Sequence, residues 1–507
     1  MPGIYYLLAM LLRGYDVAGS ADAMIQAAFA ARFVMWLFAG AVLVATFALG
    51  TVYRNRSVGW SGAALLSLSV VFVARTLEIR PDVPGLGCWV ASQLMLFVAL
   101  TRARTDARAR RLWLGAGGLL LGATLVFTQK ALLAGPGFAV FTLIYLLSHD
   151  DESSIQKRLV DVVVLAAGCI APVLLVVAHF WMNGAVGFLL QGALTNNLGW
   201  IQEVTAASTI RWMLLRDPFL CAFAAAGFGQ AWMTFVRDRE TRLARAVLLL
   251  PTTSLIVGLW AIPTPFPQYL LLVLPAAAVY GADFLWTMVT SRRADETTRR
   301  RASEFAVLGA VFATVAAIGL SIARPFFRNA AIYPAVGVAI VATAIVLARR
   351  RQPALAAAAI IVGVSTYSLQ QLVWMKALSN ADALAQMRFI HGATTDSDRV
   401  MDGFSGFAWF RPHAAFYWFT APGVRPRIPA SEKVRMVAML ATCGHQPKAV
   451  ILDDHLRQLA PDVEPTVARY YSPTAYPLIW LHDSAANRCL GQSPEVSDPE
   501  RKSLPNR

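Results

Sequence analysis

Long uninterrupted apolar stretches dominate this chain, in place of the alternation that marks half-buried strands or amphipathic helices. They lie near residues 25–50, 58–74, 84–101, 112–128, 131–148, 159–181, 217–236, 246–262, 269–289, 305–323, 331–348 and 353–374. A helix needs roughly 20 predominantly apolar residues to cross the hydrocarbon core. The pattern therefore predicts about twelve transmembrane helices. After residue 375 it changes. Val400–Phe404, Ala449–Asp453 and Leu478–Leu481 are short apolar runs of strand type, with helical or turn segments between them. The expected architecture is an all-α polytopic membrane bundle over 1–375 followed by a small soluble α/β domain over 376–507.

Composition agrees. Of the 507 residues, 57% are apolar and only 15% charged, against about 45–50% and 25% in soluble domains. The net charge of +15 would suggest a nucleic-acid partner in a soluble chain, but here the basic residues follow loop parity. Six alternate loops hold 21 of them: Arg54 and Arg56, five between Arg102 and Arg111, Lys157 and Arg158, four between Arg237 and Arg245, five between Arg292 and Arg301, and Arg349 to Arg351. The intervening loops hold eight. By the positive-inside rule the first set is cytoplasmic. The charge then reports topology in a bacterial inner (plasma) membrane and argues against nucleic acid. The C-terminal domain falls on the extracytoplasmic side. So does the N-terminus, although residues 1–12 are too short to span and lack the basic flank of a signal peptide. An upstream span is therefore expected.

Cys88, Cys169 and Cys221 sit in apolar runs and read as small hydrophobes. Cys443 and Cys489 are the only two cysteines in the tail. In an oxidising compartment they are either a disulfide or two free thiols, and spacing does not choose between these.

Chemistry is sought on the extracytoplasmic face. Arg75, Glu78, Arg80 and Asp82 crowd into eight residues between apolar runs. Arginines can grip a phosphate through two hydrogen bonds, and carboxylates can act as bases or hold a divalent metal. The alternative is a structural cap, with Arg–Glu pairing at a helix end and Pro81-Asp82 opening the next helix. Lys130, before Gly135-Pro136-Gly137, either meets an anionic headgroup or snorkels. Pro263, Pro265 and Pro267 fix a rigid turn that carries Gln268 and Tyr269 to the interface. The loop over 183–216, with Asn196, Asn197, Trp200, Gln202 and Glu203, can lie along the membrane and shape a lipid groove. Arg32 and Asp283, inside apolar runs, are either functional or paired between helices. In the tail, the aromatics between Trp409 and Phe419 are core, or a surface for membrane or carbohydrate.

Pro2-Gly3-Ile4-Tyr5-Tyr6, Ala31-Arg32-Phe33, Arg80-Pro81-Asp82, Lys130 before its Gly/Pro turn, and Gln268-Tyr269 ahead of Pro275 resemble, in order and spacing, the GT-C integral-membrane glycosyltransferases. The similar branch is that of protein mannosyltransferases and lipid A aminoarabinose transferases, and the resemblance spans roughly residues 1–375. It implies a hexosyl- or pentosyltransferase that moves a sugar from a polyprenyl-phosphate donor in the lipid bilayer to a glycan, lipid or protein acceptor. It also implies that Asp82 and Glu78 are catalytic, and that Arg75, Arg80, Lys130, Gln268 and Tyr269 bind substrate. The family allows a divalent metal, which no ligand spacing in this chain requires. Members carry a catalytic acid in a first external loop, and this chain begins beyond that point. That leaves as alternatives a non-catalytic, truncated or degenerate relative, or a lipid-linked glycan ligase or transporter.

The topology makes a direct forecast. A reporter fused after residue 450 should read extracytoplasmic; a cytoplasmic signal would overturn the orientation. Free-thiol counts of the denatured protein should rise by two on reduction, and an unchanged count would exclude a disulfide between Cys443 and Cys489.

Overall fold

The computed structural model of the chain describes residues 2–76, 78–103, 105–148, 154–190, 204–238, 241–290, 380–415, 420 and 422–482. The predicted spans at 305–323, 331–348 and 353–374, residues 196–203 of the long loop, the aromatics at 416–419 and Cys489 lie outside these residues. Within them, all nine remaining apolar runs are helical over most of their length. Among the described residues, six helices are long and apolar enough to cross a membrane, or seven if one bent pair counts as a single span. The chain is a multi-pass membrane protein.

Two compact units emerge. The first comprises Met1–Leu11, Ala31–Leu198 and Val204–Leu378, and the second Leu12–Ala30, Gly199–Glu203 and Ser379–Arg507. Residues 12–30 belong to the second unit along with the C-terminal part of the chain.

The first eight helices are α1 (Pro2–Leu11), α2 (Ala21–Tyr53), α3 (Arg56–Ser67), α4 (Val70–Thr76), α5 (Asp82–Thr101), α6 (Ala107–Phe127), α7 (Gly135–Leu147) and α8 (Ile155–Met182). After them come Ala206–Arg216, Pro218–Arg237, Arg242–Gly258 and Leu274–Thr290. The run at 58–74 differs from expectation: α3 and α4 meet at a bend of 66°. No proline or glycine lies at the break, which falls at Leu68 and Ser69. Its cause is tertiary and belongs to the site described below.

Helices in lipid gain little from apolar burial against one another, so close approach of backbones decides their packing. Gly118 and Gly122 on α6 provide it. A methyl group on Gly122 would lie 2.2 Å from the Cys169 carbonyl oxygen of α8, and one on Gly118 would lie 2.3 Å from that of Leu165. Buried charge ties the same helices at one end. Asp161 of α8 accepts hydrogen bonds from Arg110 Nε at 2.8 Å, Arg111 Nε at 3.1 Å and the Tyr145 hydroxyl at 2.7 Å. Asp283 is likewise paired between helices, with Arg54, so the pairing alternative holds for it.

The second unit holds a four-stranded sheet of β1 (Val400–Asp402), β2 (Ala449–Ile451), β3 (Tyr471–Pro473) and β4 (Ile479–His482) in the order β1-β2-β4-β3. β1 and β2 are parallel, with Met401 opposite Val450; β4 is antiparallel to both its neighbours. Three of the strands fall on the predicted apolar runs. β3 was not apparent from the pattern, because Ser472 and Pro473 are exposed on an edge where a proline is tolerated. Arg411 is buried and donates to the carbonyls of Ala18 and Thr394, to Thr394 Oγ1 and to Asp396. It binds the Leu12–Ala30 segment into this unit. Cys443 is disulfide-bonded, and Cys88, Cys169 and Cys221 are free.

The glycine contact is testable. Gly122→Ile should separate α6 from α8 and lower the unfolding temperature in detergent by several degrees, in line with about 1–3 kcal/mol for overpacking. Gly87→Ala, which meets its nearest neighbour at an ordinary 3.5 Å, should change little. Equal effects of the two would refute the backbone contact.

Candidate functional site

Four of the charged residues singled out by sequence come from one short stretch, and the structure adds a fifth from another helix. α4 ends with Arg75 and Thr76, and α5 begins at Asp82. The intervening turn places Glu78 between two arginines: Arg75 Nη1 donates to Glu78 Oε1 at 2.7 Å and Arg80 Nη1 to Oε2 at 2.6 Å. Asp82 opens α5 but does not cap it, since its carboxylate bonds no backbone amide of that helix. It turns to α6 and the segment beyond. Lys130 Nζ lies 2.7 Å from both carboxylate oxygens, Thr128 Oγ1 donates to Oδ1 at 2.9 Å, and Arg80 Nε approaches Oδ2 at 3.4 Å. The Arg–Glu pairing and the helix start at Pro81-Asp82 expected of the structural alternative are both present, but Asp82 supplies no side-chain cap.

The backbone around Lys130 explains how it arrives there. α6 stops at Phe127, Thr128 is extended, and Gln129–Ala134 forms a 3₁₀ turn before Gly135-Pro136 starts α7. Gly85, one turn into α5, lets Thr128 close in: a methyl group there would sit 2.8 Å from Thr128 Cγ2. The Lys130 side chain is consequently mostly buried and does not snorkel. Tyr269 covers it, with its ring centroid 4.8 Å from Nζ, a cation–π distance. That ring is fixed by the 3₁₀ turn Pro267–Leu272, whose Leu270, Leu271 and Leu272 are buried. Gln268 occupies the same turn, but among the described residues it makes no hydrogen bond to the charged cluster.

The cluster carries three cations and two carboxylates. In a weakly solvated setting each charge needs a partner, and the bidentate Asp82–Lys130 contact supplies the strongest one. Both oxygens of Asp82 and both of Glu78 are already accepting from cations. A divalent ion would find only these two carboxylates in the cluster, fewer than the three ligands a protein site needs, so the residues present do not fit one. Among the described residues, no three His, Cys, Asp or Glu side chains gather elsewhere to hold one. What the arrangement offers is a set of pre-oriented N–H donors with net positive charge, suited to an anion with several acceptor oxygens.

Two contributors escaped sequence reasoning. Thr128 is a hydroxyl at a helix end, with no signal beyond its place before Gln129-Lys130. Asp217, buried at 4% exposure, reaches the start of α4 and was read only as the edge of a span.

No protein-family model and no curated protein matches the chain. Solved structures do. The crystal structure of ArnT from Cupriavidus metallidurans bound to undecaprenyl phosphate aligns with a TM-score of 0.58 at 14% identity, over 90% of this chain and 84% of that one. The apo crystal structure of the same protein aligns with a TM-score of 0.56, also at 14% identity and with the same coverage.

A double-mutant cycle tests the pair at the centre of the cluster. Lys130→Met alone should destabilise by about 3–5 kcal/mol, because it strands a buried carboxylate. Adding Asp82→Leu should recover much of that loss in micellar unfolding. Additive losses would mean the two residues are not coupled.

At this level of identity the likeness speaks to fold alone, and in fold the chain is similar to ArnT.

Proposed function

We propose that the chain is a membrane glycosyltransferase that takes a sugar from a polyprenyl-phosphate donor and passes it to a lipid, glycan or protein acceptor at the extracytoplasmic face. One observation supports this above the others. Arg75, Arg80 and Lys130 come together where α5 and α7 begin and α6 ends. A phosphate on a membrane-embedded chain sits at just such a boundary, between hydrocarbon and water. The fold likeness to ArnT, a protein crystallised with undecaprenyl phosphate, agrees with the reading. The loop parity of the basic residues assigns this end to the extracytoplasmic side.

The chemistry follows from the charges. Transfer breaks the bond between the anomeric carbon and the phosphate oxygen, and the electron pair stays on the phosphate. An acceptor oxygen forms the new bond to that carbon, and its proton passes to the departing phosphate or to water. Negative charge therefore grows on the phosphate in the transition state, where fixed cations stabilise it without reorganising. Arg75, Arg80 and Lys130 take this role. Asp82 and Glu78 orient them: with their oxygens occupied by cations, both carboxylates serve the donor phosphate indirectly. Tyr269 completes the Lys130 pocket.

The reading is tested in vesicles holding the purified full chain, a polyprenyl-phosphate sugar and a panel of acceptors. Wild-type protein should transfer sugar, and Arg75→Gln should lower kcat/KM for the donor by about 10²-fold, the scale set by removing one pre-oriented donor to a developing oxyanion. Wild-type protein that binds polyprenyl phosphate no better than phosphatidylglycerol would overturn it.

A further inference from the structure

The bend between α3 and α4 places backbone amides where lipid and packed helices exclude water. An unsatisfied amide there is costly, so something must accept from it. The acceptor comes from 148 residues away in sequence: Ser69 Oγ donates to Asp217 Oδ2 at 2.7 Å, Val70 N to Oδ1 at 2.7 Å and Val71 N to Oδ2 at 3.1 Å. Ser69 Oγ in turn accepts from Phe72 N at 3.2 Å. One buried carboxylate and one hydroxyl thus satisfy the first turn of α4. The backbone of Asp217 does related work in the next helix, since its carbonyl accepts from Cys221 N, in the first turn of Pro218–Arg237.

The helix leading into Asp217, Ala206–Arg216, has a second attachment. It is itself fixed by a capping box at Thr205 and Ser208. Thr209 Oγ1 donates to the Pro265 carbonyl, two residues ahead of the turn that carries Tyr269. The segment Ala206–Asp217 therefore holds α4 on one side and the Tyr269 turn on the other. Asp217 itself makes no hydrogen bond or ion pair with Arg75, Glu78, Arg80, Asp82 or Lys130 among the described residues.

We propose that Asp217 is a positioning residue for the phosphate-binding cluster, setting where α4 starts and hence where Arg75 and Arg80 stand relative to Lys130. The lever is short and stiff. α4 has seven residues, about 10 Å of helix at roughly 1.5 Å per residue, and Arg75 lies in its last turn. Lys130 is anchored separately, on the 3₁₀ turn before α7. A tilt at Ser69 and Val70 therefore moves the arginines against the lysine, and shifts of about 1 Å in such sets are known to change rates by as much as about 10²-fold. The inference rests on reading the cluster as the donor-phosphate site.

The test uses the full chain in lipid vesicles with three variants, Asp217→Asn, Asp217→Ala and the milder Ser69→Ala. Each is read by thermal unfolding, by hydrogen exchange of the 70–82 stretch, by affinity for undecaprenyl phosphate and by KM and kcat for the donor sugar. Asp217→Asn should raise the dissociation constant and donor KM about tenfold, with acceptor KM unchanged, and should speed exchange chiefly in 70–82. Ser69→Ala should do the same by a smaller factor, and it serves if the Asp217 variants fail to fold. A purely structural role predicts a lower unfolding temperature and less active protein with donor affinity and KM unchanged, and that result overturns the proposal. Unchanged exchange in 70–82 overturns it as well, even if the wild-type chain binds no polyprenyl phosphate, a separate outcome that would defeat the proposed function.

Discussion

A lysine and a carboxylate taken out of water at the edge of a membrane must hold each other, and the contact between Lys130 and Asp82 is the constraint around which the site is arranged. Nζ sits 2.7 Å from both carboxylate oxygens, which leaves Asp82 too committed to cap its own helix. Thr128 and Arg80 complete the shell on one side and Tyr269 closes it on the other. Each of these residues arrives from a different piece of backbone: the turn before α5, the extended link after α6, the 3₁₀ turn before α7, and the proline-bounded turn at 263–269. A cluster assembled this way needs every piece seated first. That is why breaks in helix regularity gather around it.

Those breaks share a physical logic. In lipid a backbone that leaves the α-helix must find internal partners, so irregular segments survive only where protein surrounds them. The bend after α3 is held by Asp217 and Ser69, and the interruption between α6 and α7 lies against Gly85 of α5. At the opposite end of the same helices, charge does a simpler job. Asp161 gathers Arg110, Arg111 and Tyr145, and Asp283 pairs with Arg54. Polar groups thus close both ends of the bundle, while glycine contacts such as Gly122 against Cys169 close its middle.

How much of this the sequence discloses follows the range of the interactions. Membrane-spanning runs are local and strong, and each one within the described residues is helical. The crowding of Arg75, Glu78, Arg80 and Asp82 is local too, and the Arg–Glu pairing it suggests is present. The resemblance singles out Lys130 as a substrate-binding candidate, but its pairing is not legible locally, because the partner that draws it inward lies 48 residues earlier. The break at Leu68 and Ser69 has no local mark at all: neither residue breaks helices, and the acceptor that stabilises it is an aspartate read as the edge of a later span. β3 is hidden for the opposite reason, an edge strand whose outer residues are a serine and a proline. Apart from β3, what the sequence leaves hidden rests on long-range hydrogen bonds rather than on propensities.

The central claim is that the cations held by Asp82 and Glu78 receive the phosphate of a membrane-embedded polyprenyl chain. Photo-crosslinking tests it most directly. A polyprenyl phosphate carrying a photoactivatable group beside the phosphate, incorporated in vesicles with the full protein, would be irradiated and the labelled peptides mapped. The account predicts labels concentrated in residues 75–82, 129–135 and 265–272, and competed away by unlabelled polyprenyl phosphate. Labels spread along the lipid-facing helices, unchanged by that competitor and matched by a phosphatidylglycerol probe, would contradict it.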